Sequence, residues 1–76
     1  MREHIRDLVE REIDNLEDNA YRSELELKHI TREYYENAYG KGSKFTLSYD
    51  EYVESLKDTV RVNRAKIKEL QEELEK

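Results

Sequence analysis

Glu26, His29 and Glu33 come closest to forming a chemical site by their residue types and spacing. The pattern Glu-x-x-His at 26–29 places a carboxylate and an imidazole on one face of a helix, and Glu33 follows one turn later, a spacing that metal sites in helical bundles use. A metal site would need these groups to point inward, whereas the apolar pattern places Leu27 and Ile30 inside and His29 outside. We therefore expect a solvated histidine among acids, with no metal ligands and no cofactor.

A second candidate is a row of basic side chains in the second half of the chain. Lys57, Arg61, Arg64 and Lys68 recur at helical spacing and would form one stripe along a helix. Such a stripe can follow the phosphates of a nucleic acid. The interpretation that we favour is pairing with acids of the first half, such as Glu24 with Arg64. The net charge of −5 also argues against generic nucleic-acid binding.

Aromatic residues concentrate near the middle of the chain, where five of the six tyrosines lie close to Phe45 and to two lysines. They can form a cap on the helical core, with the phenol oxygens reaching water. They can also form a contact surface, because rigid aromatic side chains are typical of binding hot spots. Tyr34 and Tyr49 lie on the predicted apolar seam and are expected to be structural. The candidate partner-binding residues are those beside the seam or in the loop: Tyr35, Tyr39, Lys41, Lys44, Phe45 and Tyr52.

The composition indicates a helical, non-enzymatic protein. Charged residues make up 43% of the chain, but both signs are interspersed and apolar residues recur at helical spacing, which is not typical of a disordered acidic tail. There is no cysteine nucleophile, glycine-rich phosphate loop or Ser-His-Asp arrangement. No apolar run approaches the roughly 20 residues that span a bilayer, and the charged N-terminus does not resemble a secretory signal. We expect a cytoplasmic protein that does not contact membranes.

Two helices are predicted, over about residues 2–39 and 49–75, joined by a loop over 40–48. Gly40 follows the last periodic aromatic residue and suits a helix C-cap, while Ser48 and Glu51 have the spacing of a capping box. Phe45 and Leu47 are expected to fold back over the helix ends. Apolar residues step by four and three along two seams: Val9, Ile13, Leu16, Ala20, Ser23, Leu27, Ile30 and Tyr34, and then Tyr49, Val53, Leu56, Val60, Asn63, Ile67, Leu70 and Leu74.

The predicted fold is an all-α, antiparallel two-helix coiled-coil hairpin that forms one domain over 1–76. A loop centred near residue 44 or 45 sets the register of the two seams. The expected core pairs are Tyr34 with Leu56, Leu27 with Asn63 and Ser23 with Ile67. The expected ion pairs in the same register are Glu24 with Arg64 and Glu26 with Lys66.

The first predicted helix is longer than the second, so residues 1 to about 12 should extend beyond it. Ile5, Leu8 and Val9 would then be exposed on this overhang. A two-helix hairpin of this size also leaves part of each apolar stripe in water. We therefore predict a homodimer that forms a four-helix bundle, with Ile5, Leu8 and Val9 in its interface.

These observations support three functional hypotheses. The leading one is a protein–protein interaction module, such as a small regulator or inhibitor of a larger protein, whose partner the sequence does not identify. The first alternative is a nucleic-acid-binding hairpin dimer that uses the stripe from Lys57 to Lys68. The second alternative is a structural coiled-coil assembly element.

Overall fold

The part of the chain that the structure describes folds into three helices, and the first and third of these form an antiparallel hairpin. The computed structural model describes residues 2–76 and contains α1 (Glu3–His29), α2 (Arg32–Tyr39) and α3 (Tyr49–Leu74). α1 packs along α3, and the short α2 contacts α3 as well. The predicted all-α fold is thus confirmed. In this part of the chain, no helix is long and apolar enough to cross a membrane.

The predicted seams of α1 and α3 are the faces that the two helices bury. Every seam position from Val9 to Ile30 is buried or half-buried, and so is every seam position of α3. The centre of the core is a cluster of three buried side chains against which three further apolar side chains pack: Ile13, Leu16 and Ile67, with Val9, Leu70 and Leu74 around them. The alternation of four-residue and three-residue steps therefore identified the interface correctly.

The first predicted helix is interrupted, which corrects the expectation of one helix over about 2–39. Ile30 and Thr31 both have extended backbones, with ψ angles of 136° and 152°. The Ile30 N–H donates to the carbonyl oxygen of Glu26 and ends α1, while the Thr31 hydroxyl accepts from the Tyr34 N–H at 3.1 Å and caps α2. Two successive β-branched residues disfavour a helix, and threonine is a good N-cap. The sequence at 30–31 thus provides a local reason for the break.

The break changes which tyrosine faces α3. On a continuous helix the seam would include Tyr34, but this side chain is 65% exposed. Tyr35 is only 4% exposed and takes the inward position. The expected structural role of Tyr34, and with it the Tyr34–Leu56 core pair, is wrong because two extended residues reset the helical phase.

The register of the core also differs from the prediction. Ile67 lies in a cluster with Ile13 and Leu16, whereas the predicted register paired it with Ser23. Because the break shortens the first helix, α1 and α3 have nearly equal lengths of 27 and 26 residues. The expected overhang is corrected accordingly. Val9 packs against the core cluster, whereas Ile5 and Leu8 remain exposed.

One of the two expected ion pairs between the helices is present. Arg64 pairs with Glu24, as predicted. Glu26 does not pair with Lys66 within residues 2–76 and instead accepts a hydrogen bond from the Tyr52 hydroxyl. Exposed ion pairs contribute only about 0.2–1 kcal/mol, so the apolar seam determines the alignment.

The loop has the predicted boundaries and is closed by hydrogen bonds. Gly40 is the C-cap of α2 with a φ of 87°, and the predicted capping box forms, since the Glu51 N–H donates to the Ser48 hydroxyl at 3.3 Å and the Ser48 N–H donates to the Glu51 carboxylate at 3.1 Å. Gly42 has a φ of 101° and lies against Ser48. The expectation that Phe45 folds back over the helices is wrong, because its side chain is 92% exposed.

Candidate functional site

Tyr35 is the structural centre of the loop end of the molecule. Its hydroxyl donates to the carbonyl oxygen of Leu47 at 2.6 Å. Its ring stacks on Tyr52 with 4.9 Å between centroids, and its centroid lies 5.1 Å from that of Tyr39. A side chain this buried offers little surface to a macromolecular partner. The contacts of Tyr35 hold α2 on the start of α3, and partner binding by Tyr35 stays a prediction.

Arg32 provides a second connection between α2 and α3. Its Nη2 atom lies 2.8 Å from Oδ1 of Asp50, and its guanidinium carbon lies 4.8 Å from the ring centroid of Tyr49. Both charged side chains are exposed, so the ion pair contributes at most about 1 kcal/mol. Asp50 lies in the first turn of α3, where a carboxylate is also favoured by the helix dipole. Arg32 thus orients α2, while most of the buried contact comes from Tyr35.

A cavity of about 330 Å³ opens where α1 ends and α2 begins. Four of its six lining residues are tyrosines, and a carboxylate completes the lining: Glu26, Ile30, Tyr34, Tyr35, Tyr39 and Tyr52. The Tyr52 hydroxyl donates to Oε1 of Glu26 at 3.1 Å. The pKa of Tyr52 is raised above 10.0, first by burial and then by the hydrogen bond to Glu26 and its negative charge. We call this site the tyrosine cavity.

The helix break separates Glu33 from Glu26 and His29, whose spacing in the sequence resembles that of a metal site. Glu26 and His29 line a shallow recess of about 280 Å³ with Ile30 and Tyr34. Glu33 lies in α2, beyond the break, so it no longer follows His29 on one continuous helical face. Within residues 2–76, no group of three or more His, Cys, Asp or Glu side chains is arranged to hold a metal ion.

The remaining partner-binding candidates lie on the loop and are exposed. Lys41, Lys44 and Phe45 form a surface that we call the loop tip. The turn is ordered by two hydrogen bonds, from the Phe45 N–H to the Ser43 hydroxyl at 3.1 Å and from the Ser43 N–H to the Thr46 carbonyl oxygen at 2.8 Å. The structure thus divides the predicted Tyr-rich surface into a buried tyrosine, a cavity wall that contains Tyr39 and Tyr52, and an exposed loop tip.

The basic stripe of α3 is largely neutralised by nearby acids. Three of its four side chains have carboxylate partners: Lys57 with Glu54 at 3.7 Å, Arg61 with Asp58 at 3.2 Å, and Arg64 with Glu24. Lys68 is exposed. Two of these pairs lie within α3, whereas the sequence led us to expect acids of the first helix as partners. The arrangement favours ion pairing over phosphate binding, and nucleic-acid binding stays a prediction.

Two features of the site escaped the sequence reasoning. The first is the tyrosine cavity, which forms at the helix break. The sequence signal for the break is the Ile30–Thr31 pair, because Thr31 is a good N-cap residue in the middle of a periodic stretch. The second is a broad open groove of about 800 Å³ on the side of α3. Apolar and uncharged polar side chains line it among four acids: Leu47, Ser55, Thr59, Val62 and Asn63, with Asp50, Glu51, Glu54 and Asp58. The predicted positions of Asn63 on the seam and of Leu47 over the helix ends gave no indication of a groove.

Comparisons with protein-family models, with curated proteins and with solved structures gave no significant match to this chain. A helical hairpin by itself does not specify a function. The loop tip and the tyrosine cavity are therefore the features of this chain that bear on its function.

Proposed function

We propose that this protein is a non-enzymatic interaction module that binds a larger protein through its loop tip, as a small regulator or inhibitor does. The observation that carries the proposal is the position of Phe45, which is 92% exposed at the apex of an ordered turn. Leu47 and Tyr39, on either side of it in the chain, are exposed as well. Large apolar side chains presented together at one end of a domain are typical of interaction surfaces.

The energetics of the loop tip are suited to binding. Burying a phenylalanine side chain fully contributes about 1.5–3 kcal/mol. Because the Ser43–Thr46 turn is already ordered by hydrogen bonds, little backbone entropy remains to be lost on binding. Lys41 and Lys44 flank Phe45 and have no carboxylate partner within residues 2–76. The loop tip therefore fits a partner that offers an apolar pocket bordered by carboxylates.

Capture of a partner from the source cell, followed by a binding assay with the purified partner, tests this proposal. Phe45→Ala should weaken binding by about tenfold or more, the equivalent of the lost apolar burial. Tyr21→Ala is the matched control, because Tyr21 is also an exposed aromatic residue but lies on α1, away from the loop. Equal binding by the Phe45→Ala variant and the wild type would refute the loop tip as the contact surface.

We also propose that the chain forms a homodimer. The proposal is supported by the small core: the apolar side chains buried in residues 2–76 are Ile13, Leu16, Ala20, Tyr35 and Ile67. A core of this size gives little net stability, and association is a common remedy. Ile5 and Leu8 are exposed near the start of α1 and provide an apolar contact for a second copy. Sedimentation equilibrium should show a dimer that Leu8→Glu dissociates; a wild-type monomer across micromolar concentrations would refute dimerisation.

A further inference from the structure

The tyrosine cavity contains a carboxylate that no cation of the protein neutralises. Glu26 is half-buried, and within residues 2–76 no Lys, Arg or His side chain lies within ion-pair distance of it. Its Oε1 atom accepts the Tyr52 hydroxyl at 3.1 Å, which is a neutral donor. Burial of an ionised group is unfavourable unless it is paired. A cation that enters the cavity would supply the ion-pair partner that this carboxylate lacks among the described residues.

The aromatic rings add to the attraction for a cation. The face of an aromatic ring carries a negative partial charge, so several rings around one cavity attract a positive group and disfavour an anion. Tyr52 stacks on Tyr35 with an angle of 25° between the rings, and Tyr39 is tilted by 41° relative to Tyr35. Tyr35 thus forms the fixed base of the cavity. Tyr34 and Tyr39, which are largely exposed, form its outer wall.

The lining discriminates between kinds of cation. A primary ammonium carries three N–H donors, each of which loses a water molecule on entry and needs an acceptor. One oxygen of Glu26 already accepts the Tyr52 hydroxyl and the ring faces are poor acceptors, so a primary ammonium would depend on the remaining carboxylate lone pairs and on phenol oxygens. A fully methylated ammonium has no N–H donor, is weakly hydrated and is bound well by aromatic rings. The volume of about 330 Å³ is at the lower end for ligand sites and suits a group of this size.

We propose that the tyrosine cavity binds a methylated ammonium group, with Glu26 supplying the negative charge and Tyr34, Tyr39 and Tyr52 the ring walls. The group can belong to a small organic cation or to a methylated lysine side chain of a peptide. This site is separate from the loop tip, because Lys41, Lys44 and Phe45 do not line the cavity. Either proposal can therefore fail while the other holds.

Titration of the protein with tetramethylammonium chloride, followed by NMR, tests the proposal. We expect saturable shifts of the tyrosine ring signals, centred on Tyr34, Tyr39 and Tyr52. tert-Butanol, a neutral molecule of similar shape, should bind at least about fivefold more weakly. Sodium chloride is the control for ionic strength. The proposal is overturned if the shifts with tetramethylammonium rise linearly as they do with sodium chloride, or if tert-butanol binds equally well.

Variants assign the binding to the cavity. Glu26→Gln keeps the shape of the side chain, and Tyr39→Ala removes an exposed ring; each should weaken tetramethylammonium binding at least about fivefold. Tyr21→Ala is the matched control, since Tyr21 and Tyr39 are both 61% exposed and Tyr21 does not line the cavity. Circular dichroism verifies that each variant is folded. Unchanged binding by a folded Glu26→Gln variant, or an equal loss with Tyr21→Ala, contradicts the assignment.

Three ligands distinguish the two possible sources of the methylated ammonium group, a small organic cation and a methylated lysine side chain. Peptides that contain trimethyllysine or unmodified lysine are compared with free tetramethylammonium. Tighter binding of the trimethyllysine peptide than of the free cation assigns the site to modified protein chains. Equal binding of the two assigns it to small organic cations. If the unmodified lysine peptide binds as tightly as the trimethylated one, methylation is not recognised and the proposal is refuted.

Discussion

Tyr35 and Tyr34 offer a direct test of the helix break, because the two possible helical phases predict opposite results for them. In the structure, Tyr35 is 4% exposed and Tyr34 is 65% exposed. If residues 3–39 formed one continuous helix, the seam would turn Tyr34 inward and Tyr35 outward. Substituting each tyrosine by alanine in turn therefore determines which phase is present in solution.

The expected difference in the free energy of unfolding between the Tyr35→Ala and Tyr34→Ala variants is large. Replacing a buried aromatic side chain by alanine costs about 3–5 kcal/mol, and Tyr35 also loses its hydrogen bond to the Leu47 carbonyl and its contacts with Tyr39 and Tyr52. A domain of this size has a free energy of unfolding of only about 4–11 kcal/mol. Tyr35→Ala should thus remove about a quarter or more of the free energy of unfolding. Tyr34→Ala should change it by at most about 0.5 kcal/mol, as surface substitutions do.

Thermal and urea denaturation, followed by circular dichroism, measure both effects. For a domain of this length, a loss of 3 kcal/mol lowers the Tm by about 12 °C or more. Tyr35→Phe separates the ring from its hydroxyl, and should cost only about 1 kcal/mol, because a single hydrogen bond is lost. A larger loss for Tyr34→Ala than for Tyr35→Ala, or equal losses for both, would refute the break and the burial inferred from it.

Three further predictions concern the break, the loop and the cavity. Thr31→Ala removes the N-cap of α2 and should lower the free energy of unfolding by about 1 kcal/mol; an unchanged urea midpoint would show that the cap is not formed. Gly42→Ala should destabilise the protein more than Gly40→Ala. Both glycines have a positive φ, but only at Gly42 would the new Cβ lie 3.0 Å from the Ser48 Cβ. Equal Tm values for the two variants would contradict this prediction. The raised pKa of Tyr52 means that its stabilising effect is complete below the unfolded pKa of 10.0 and is lost as the pH rises through the folded pKa. In an absorbance titration of tyrosinate formation, the wild type should contain one phenol that titrates above the usual range, and Tyr52→Phe should remove it. If Tyr52→Phe removes a phenol that titrates in the usual range, the prediction is wrong.

The parts of the fold that could be predicted are determined by short-range sequence patterns, namely the spacing of apolar residues and the capping box. The seam of α3 runs from Tyr49 to Leu74 with regular spacing, and the structure buries or half-buries every position of it. The capping box at Ser48 and Glu51 needs only two residues in the right order, and it forms as predicted. Such signals act over a few residues, so the folded context does not override them.

The errors in the bounds of the first helix, in its helical phase and in the register share one cause, which is the break at Ile30 and Thr31. Helix propensity at these two residues is only modestly unfavourable, by less than about 1 kcal/mol each, so periodicity across them suggested a continuous helix. What decides against it lies far away in the chain. Tyr35 reaches the Leu47 carbonyl and Arg32 reaches Asp50, and neither contact has a counterpart in a local pattern. Because the helical phase was predicted wrongly from residue 31 onward, the assignments of Tyr34 and Tyr35 and the predicted register of the core were wrong as well.

The same break accounts for the candidate sites. A continuous helix would carry Glu26 and the tyrosines of 34–39 along one rod, with no concave surface between them. Because the chain is extended at 30–31, α2 turns its tyrosines towards Glu26 and Tyr52, and the cavity forms in the angle. The interruption keeps the bond from the Ile30 N–H to the Glu26 carbonyl and the bond from the Tyr35 N–H to the Thr31 carbonyl, and the Thr31 hydroxyl caps the Tyr34 N–H. The hydrogen bond from the Tyr35 hydroxyl to the Leu47 carbonyl then holds α2 in place. A stability optimum for a simple hairpin would place a helix former at residue 31, so the capped break is a feature that the proposed cation site requires and that a hairpin alone does not.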